Sequence, residues 1–158
     1  MAAASIAKPI TGEEILRLIS PVNRASLAYW ERKRGLRALP SRGDLEPGEM
    51  TAFLPYVFLL DVRHEPLDFR FRLIGTIMDA HMTGNYTGRW MSQIPHQRPP
   101  SIIWSSCQQV VETHIPMTSD TPYVGKHKEF KRTEDVIMPL SDDGRLVNML
   151  FVTADFLP

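Results

Sequence analysis

The stretch "YVFLLDVRHEPLDFRFRLIGT", residues 56–76, holds two runs that read as β-strands joined by a turn. Residues 57–62 are apolar apart from Asp61 and rich in strand-forming side chains. In residues 68–73, Phe69, Phe71 and Leu73 alternate with Asp68, Arg70 and Arg72, the period-two pattern of a half-buried strand. "RHEPLD" supplies the turn, so an antiparallel pair is predicted. The alternation stops at Gly75-Thr76, where Thr76 is placed to cap a following helix. Because successive side chains of a strand point to opposite faces, the phenylalanines face one packed layer and Arg70 and Arg72 the other. On that second face the arginines are either open to solvent or covered by the N-terminal helix or a partner. If covered, they need a paired acid or carbonyls, and Asp61, Glu134 and Asp135 are available.

Downstream the pattern turns helical in short pieces, "IMDAHM" (77–82) and "RWMSQI" (89–94), around the Gly/Asn-rich connection "TGNYTG". "SIIWSSCQQVVETH" (101–114) reads as a longer helix with Ile103, Cys107, Val110 and His114 on one face and Trp104 and Val111 beside it. Three strands follow, at "PYVGKHKEF" (122–130), "EDVIMPL" (134–140) and "RLVNMLFVTADF" (145–156). Asp143-Gly144 in "SDDG" predicts a tight hairpin between the last two, with positive φ at both residues.

Upstream, residues 13–34 read as two helical pieces, "EEILRLIS" and "PVNRASLAYWERKR", with Ser20 as cap, Pro21 at the first helical position and Gly35 as the stop. Val22, Ala25 and Tyr29 form an apolar stripe that docks on its own domain or serves as a dimer interface; the sequence leaves both open. A loop with Asp44 as a cap and a short helix from Pro47 to about Pro55 leads into the first strand. One arrangement hides every apolar face: an α+β domain whose five-stranded antiparallel sheet carries the middle helices on one face, with the N-terminal helix on the other face or on a partner. Residues 1–35 are assigned to a helical extension and 36–158 to the domain.

The totals agree. A chain of 158 residues, 43% hydrophobic and 23% charged, suits one domain with a proper core. Eighteen basic residues balance eighteen acidic ones, which lacks the footprint of a nucleic-acid binder. Cys107 is the only cysteine, so an internal disulfide and a multi-thiolate zinc site are excluded. With no leader-like start and no run long enough to span a bilayer, a cytoplasmic protein without membrane insertion is expected.

The phrases "YWERKRGLRALPSRGDLEP" (29–47), "FRFRLIGT" (69–76), "NYTGR" (85–89) and "EDVIMPLSDDGRLVNMLFV" (134–152), in this order, resemble the PAS superfamily, and more closely a bacterial family of short stand-alone PAS proteins. The resemblance covers about residues 27–155. It implies a sheet in spatial order 2-1-5-4-3, a ligand- or partner-binding role in signalling, dimerisation through flanking helices, and no catalytic activity. Flavin-binding relatives carry a reactive cysteine in an Asn-Cys-Arg phrase, whereas Cys107 lies in "WSSCQQV", so flavin is not indicated. Haem-binding relatives use a histidine on the long helix, which singles out His114 against the plainer reading of a helix-terminal hydrogen bond.

Other chemistry has little support. No two of the five histidines share HxxxH or HExxH spacing, GxSxG is absent, and "TGNYTGR" lacks a P-loop lysine. The candidate ligand pocket combines Trp90, Trp104, Cys107, Val111 and His114 from the helices with Met138 and Met149 from the strands, against the alternative that these residues only fill the core. Val22, Ala25, Tyr29, Arg70 and Arg72 are the candidate interface. The expected function is a stand-alone sensory or interaction module, a homodimer that binds a small molecule or signalling protein. The alternatives are a small isomerase or hydrolase with His114 or Asp79 as base, and a structural adaptor with a filled core.

Overall fold

The computed structural model describes residues 8, 9, 17–123, 125, 127 and 129–158. The helical piece expected at 13–20 therefore lies, over residues 13–16, outside the described residues. Helix α1 spans Pro21–Arg34. Ser20 is extended (φ −76°, ψ 124°) and its Oγ accepts the Asn23 N–H at 3.2 Å, Pro21 opens the helix, and Gly35 closes it at φ 59°. Ser20 Oγ also donates to Asp155 Oδ2 at 2.7 Å. Ser20→Ala removes both bonds, and a loss of about 1 kcal/mol in urea denaturation is expected; an unchanged midpoint would contradict it.

A 3₁₀ turn at Arg42–Asp44 lies in the expected loop, and two more, Pro47–Glu49 and Leu54–Tyr56, stand where one short helix was expected. The remaining elements are β1 Val57–His64, β2 Leu67–Ile74, α2 Thr76–His81, a 3₁₀ turn at Met91–Gln93, α3 Ile102–Thr113, β3 Met117–Pro122, β4 Arg132–Leu140 and β5 Met149–Leu157. The five strands are antiparallel in the order β2-β1-β5-β4-β3, and a two-residue strand, Lys8–Pro9, pairs with the outer edge of β3. This is the expected α+β sheet.

Four local expectations are corrected. The third strand runs from Met117 to Pro122 and not over 122–130; it pairs Met117, Ser119 and Thr121 with Ile137, Asp135 and Thr133, and among residues 123–130 those described belong to no strand. The β4–β5 connection spans residues 141–148 and is no two-residue hairpin. Gly144 alone takes positive φ (78°), and Asp143 Oδ1 shapes the loop by accepting the Arg145 and Leu146 N–H groups at 2.8 Å. Gly75, not Thr76, precedes α2 as its cap, and no side chain caps it. Leu73 is out of phase with Phe71: a bulge places Leu73 opposite Leu59 and Phe71 opposite Leu60, leaving Leu73 38% exposed.

Both sheet faces are covered. Phe71, Leu60, Val152 and Ile137 lie toward α2 and α3, while α1 packs on the reverse face against β4 and β5. The seat of α1 is polar. Glu134 accepts N–H groups from Ile19 (2.9 Å), Ser20 (3.0 Å) and the Asn23 side chain (3.0 Å). Asn23 also donates to the Glu134 carbonyl and accepts from Thr153 Oγ1, both at 2.9 Å, and Thr153 contacts Ser26 Oγ at 2.6 Å. Trp30 Nε1 adds a bond to the Pro139 carbonyl at 2.9 Å. These buried polar groups are satisfied, as burial demands.

Candidate ligand-binding site

The break at Gly75 positions the site. Its N–H donates to the Val57 carbonyl at 2.7 Å, and its carbonyl accepts the Asp79 N–H at 2.8 Å, so β2 ends beneath the 54–56 turn and α2 starts at once. Helix α2 contributes Met78 and His81 to the roof of a cavity of about 380 Å³. Phe58, Leu60 and Phe71 wall it from β1 and β2, Val152, Ala154 and Phe156 from β5, and Ile102 and Ile103 from the start of α3. Ser101 fixes that start: its Oγ accepts the Trp104 N–H at 3.1 Å and donates to the Gln97 carbonyl at 2.6 Å. Short helical pieces fill less of the space over the sheet than one long helix would, and the volume lies in the range of small-molecule sites.

The polar groups are few. Asp135 on β4 lines the cavity at 4% exposure, with Ser119 Oγ donating to its Oδ1. Burial pushes its pKa up to about 7, against the lowering effect of the Ser119 hydrogen bonds. Burial likewise pushes up the fully enclosed Cys107 thiol, and the nearby Asp135 adds to the effect. His81 and His96 also line the cavity, and burial lowers both; proximity to His127 lowers His81 further. His81 stacks on Phe156 (3.9 Å between ring centres) and Nδ1 bonds to Tyr123 Oη at 2.8 Å. Gln97 Oε1 is buried and accepts no hydrogen bond.

None of the seven residues expected in the pocket is among those lining this cavity. Trp104 stands edge-on to Phe69 (5.1 Å, 78°), beside a fully buried Cys107 and a half-buried Val111. Trp90 lies outside β2, bridged to Arg70, with the Arg63 and Arg70 guanidinium groups over its ring at 4.4 and 5.3 Å. His114 falls one residue past α3, where φ of 62° ends the helix, and is exposed; Asp79 is also exposed. Met138 and Met149 pair with Phe151 and Leu140 on the α1 side of the sheet. Helical spacing identified the buried stripe of α3, but not which part of it presses directly on the sheet.

The interface candidates are held within the chain. Tyr29 is 1% exposed, its hydroxyl donating to Glu49 Oε1 (2.9 Å) and accepting the Glu46 N–H (3.0 Å), and Val22 and Ala25 pack half-buried against the same core. Arg70 and Arg72 both meet Asp61 Oδ2, at 3.0 and 3.1 Å, with their side chains 40% and 58% exposed. Asp135, Gln97, His81 and His96 were missed. A signal for Asp135 was present: in a strand covered on both faces, the phase opposite Val136 and Met138 is also buried.

A family model described as a PAS domain matches residues 18–150. No match was found among curated proteins or among solved structures. Among the described residues, no helix is long and apolar enough to cross a membrane.

Proposed function

Because the chain belongs to the PAS domain family, whose members are generally non-catalytic sensory modules, we propose that it is a sensor in a bacterial signalling pathway that takes a small ligand into the cavity between sheet and helices. The observation carrying this reading is the cavity itself, apolar in its walls and set with a few polar groups. Residues 36–158 hold the ligand, and the extension over residues 1–35, seated through α1, passes occupancy to a signalling protein or to a second copy in a homodimer. A ligand shifts such a system through its unequal affinity for seated and unseated forms. The site serves binding and not turnover, and the protein works in the cytoplasm.

Native mass spectrometry of the purified protein tests this reading. A bound small molecule is expected, released on denaturation. Ala154→Leu, which pushes added carbons into the cavity, is expected to weaken its retention roughly tenfold, about 1.4 kcal/mol. A ligand-free protein that also takes up no small molecule would favour the adaptor reading.

A further inference from the structure

We propose that the ligand is a small organic cation, an ammonium group on an apolar body, with the Asp135 carboxylate as its counter-ion. The inference rests on the cavity being a ligand site and adds the chemical class it selects. Asp135 opens on the cavity, is nearly enclosed, and forms no ion pair with a Lys, Arg or His among the described residues. A buried carboxyl without a cation holds its proton to higher pH, and a cation bound beside it favours the ionised form. Among the described residues no lysine or arginine lines the space, and burial disfavours the charged forms of the two histidines that do.

This inventory selects by charge. A carboxylate or phosphate ligand would bring its negative charge beside Asp135, with no cation among the described lining residues to receive it. A neutral hydrocarbon would leave the Asp135 carboxyl without a counter-charge. An ammonium group supplies Asp135 with both a positive charge and N–H donors. The aromatic rings of Phe58, Phe71, Tyr86, Tyr123 and Phe156 line the same space, and their π-faces favour a desolvated cation. A volume of about 380 Å³ is near the low end for small-molecule sites, which limits the apolar body to a single ring or a short chain.

The protonation of Asp135 gives the selection a pH dependence. The groups around it are Ser119 on β3, Cys107 on α3, the acids Asp120 and Glu134, and the cavity histidines His81 and His96. In the empty cavity burial keeps much of Asp135 in its acid form near neutrality, and a bound cation stabilises the carboxylate. Cation affinity therefore rises from pH 6 to pH 8. Protonation of the histidines at the acid end opposes a cation as well, so it acts in the same direction.

Calorimetric titration of the full chain with 2-phenylethylamine, 2-phenylethanol and 3-phenylpropanoate, at pH 6 and pH 8, separates the outcomes. At pH 8 the amine is expected to bind at least tenfold tighter than the alcohol, and the acid weakest. Between pH 8 and pH 6 the amine is expected to lose about tenfold, as follows from a carboxyl titrating near pH 7. Asp135→Asn is expected to bring the amine down to the level of the alcohol. The pH comparison uses the unaltered chain, so it stands whatever the variant's folding. Alcohol or acid binding as tightly as the amine at pH 8, or an amine preference that survives Asp135→Asn, overturns the proposal and leaves the cavity reading intact. Failure of all three probes to bind at millimolar concentration overturns both.

Discussion

Gly75→Ala is expected to destabilise the fold by about 3 kcal/mol or more. The reason is space and not backbone freedom, for Gly75 sits at φ −63°, ψ 156°, a conformation open to any residue. A Cβ at this position would lie 2.7 Å from the Leu54 carbonyl oxygen and closer still to the Pro55 carbonyl. Those are backbone atoms of the 54–56 turn, which cannot swing aside as a side-chain end can. Gly75 is also hydrogen-bonded to Val57, the residue that follows this turn, so relief of the clash disrupts the junction that starts α2. Gly48→Ala is the control: a Cβ there would meet nothing within 4 Å and the residue's φ is not positive, so a change near zero is expected. Equal urea midpoints for the two variants would refute the argument.

Asp135→Asn is expected to stabilise the protein at pH 8 and to do so less as the pH falls. In the unfolded chain this carboxyl ionises near its ordinary value of 3.8, whereas in the fold burial holds it to about 7. Between those two values the unfolded state releases a proton that the folded state keeps. Folding stability therefore declines as pH rises through this window and levels off above pH 7. The difference of about three pH units corresponds to about 4 kcal/mol at pH 8. Asparagine keeps the shape and can still accept from Ser119, but has no proton to lose. Denaturation at pH 4, 6 and 8 should show a variant close to the unaltered protein at pH 4 and several kcal/mol above it at pH 8. A constant loss at all three would mean that the carboxyl has a structural role which the amide cannot take.

Much of the fold was legible because local signals agreed with one another. The alternation of Phe69 and Phe71, the Ser20-Pro21 start and the Gly35 stop each point to one structure, and the sheet order follows from the resemblance they support. The errors arose where side chains rather than periodicity decide the backbone. Asp143 builds an eight-residue connection by binding two N–H groups, which a dipeptide rule for hairpins does not see. His114 continues the helical spacing of Cys107 and Val110, yet the backbone turns left-handed there, so the predicted stripe ran one residue too far.

The site was less legible because its location depends on phase. Met138 and Asp135 lie three residues apart on β4, and one residue of phase exchanges the covered faces. An apolar run attracts attention to its methionines, but a sheet buried on both sides hides the alternate set equally well. The informative residue was therefore the acid within the apolar strand. Gln97 carried no comparable signal, since its buried oxygen results from how a loop folds over the cavity.

The polar seat of α1 restricts how that helix can move on the sheet. Apolar helix faces slide over one another in small steps with little change in energy, because dispersion contacts are non-directional. Hydrogen bonds are directional, and here three donors converge on the single Glu134 carboxylate while Asn23 engages both Glu134 and Thr153. A shift of α1 by a fraction of a turn would break these bonds together and leave a buried acid without donors. The helix is therefore latched in one register or released from it, with no stable halfway position, and under the sensor proposal its response is digital rather than graded.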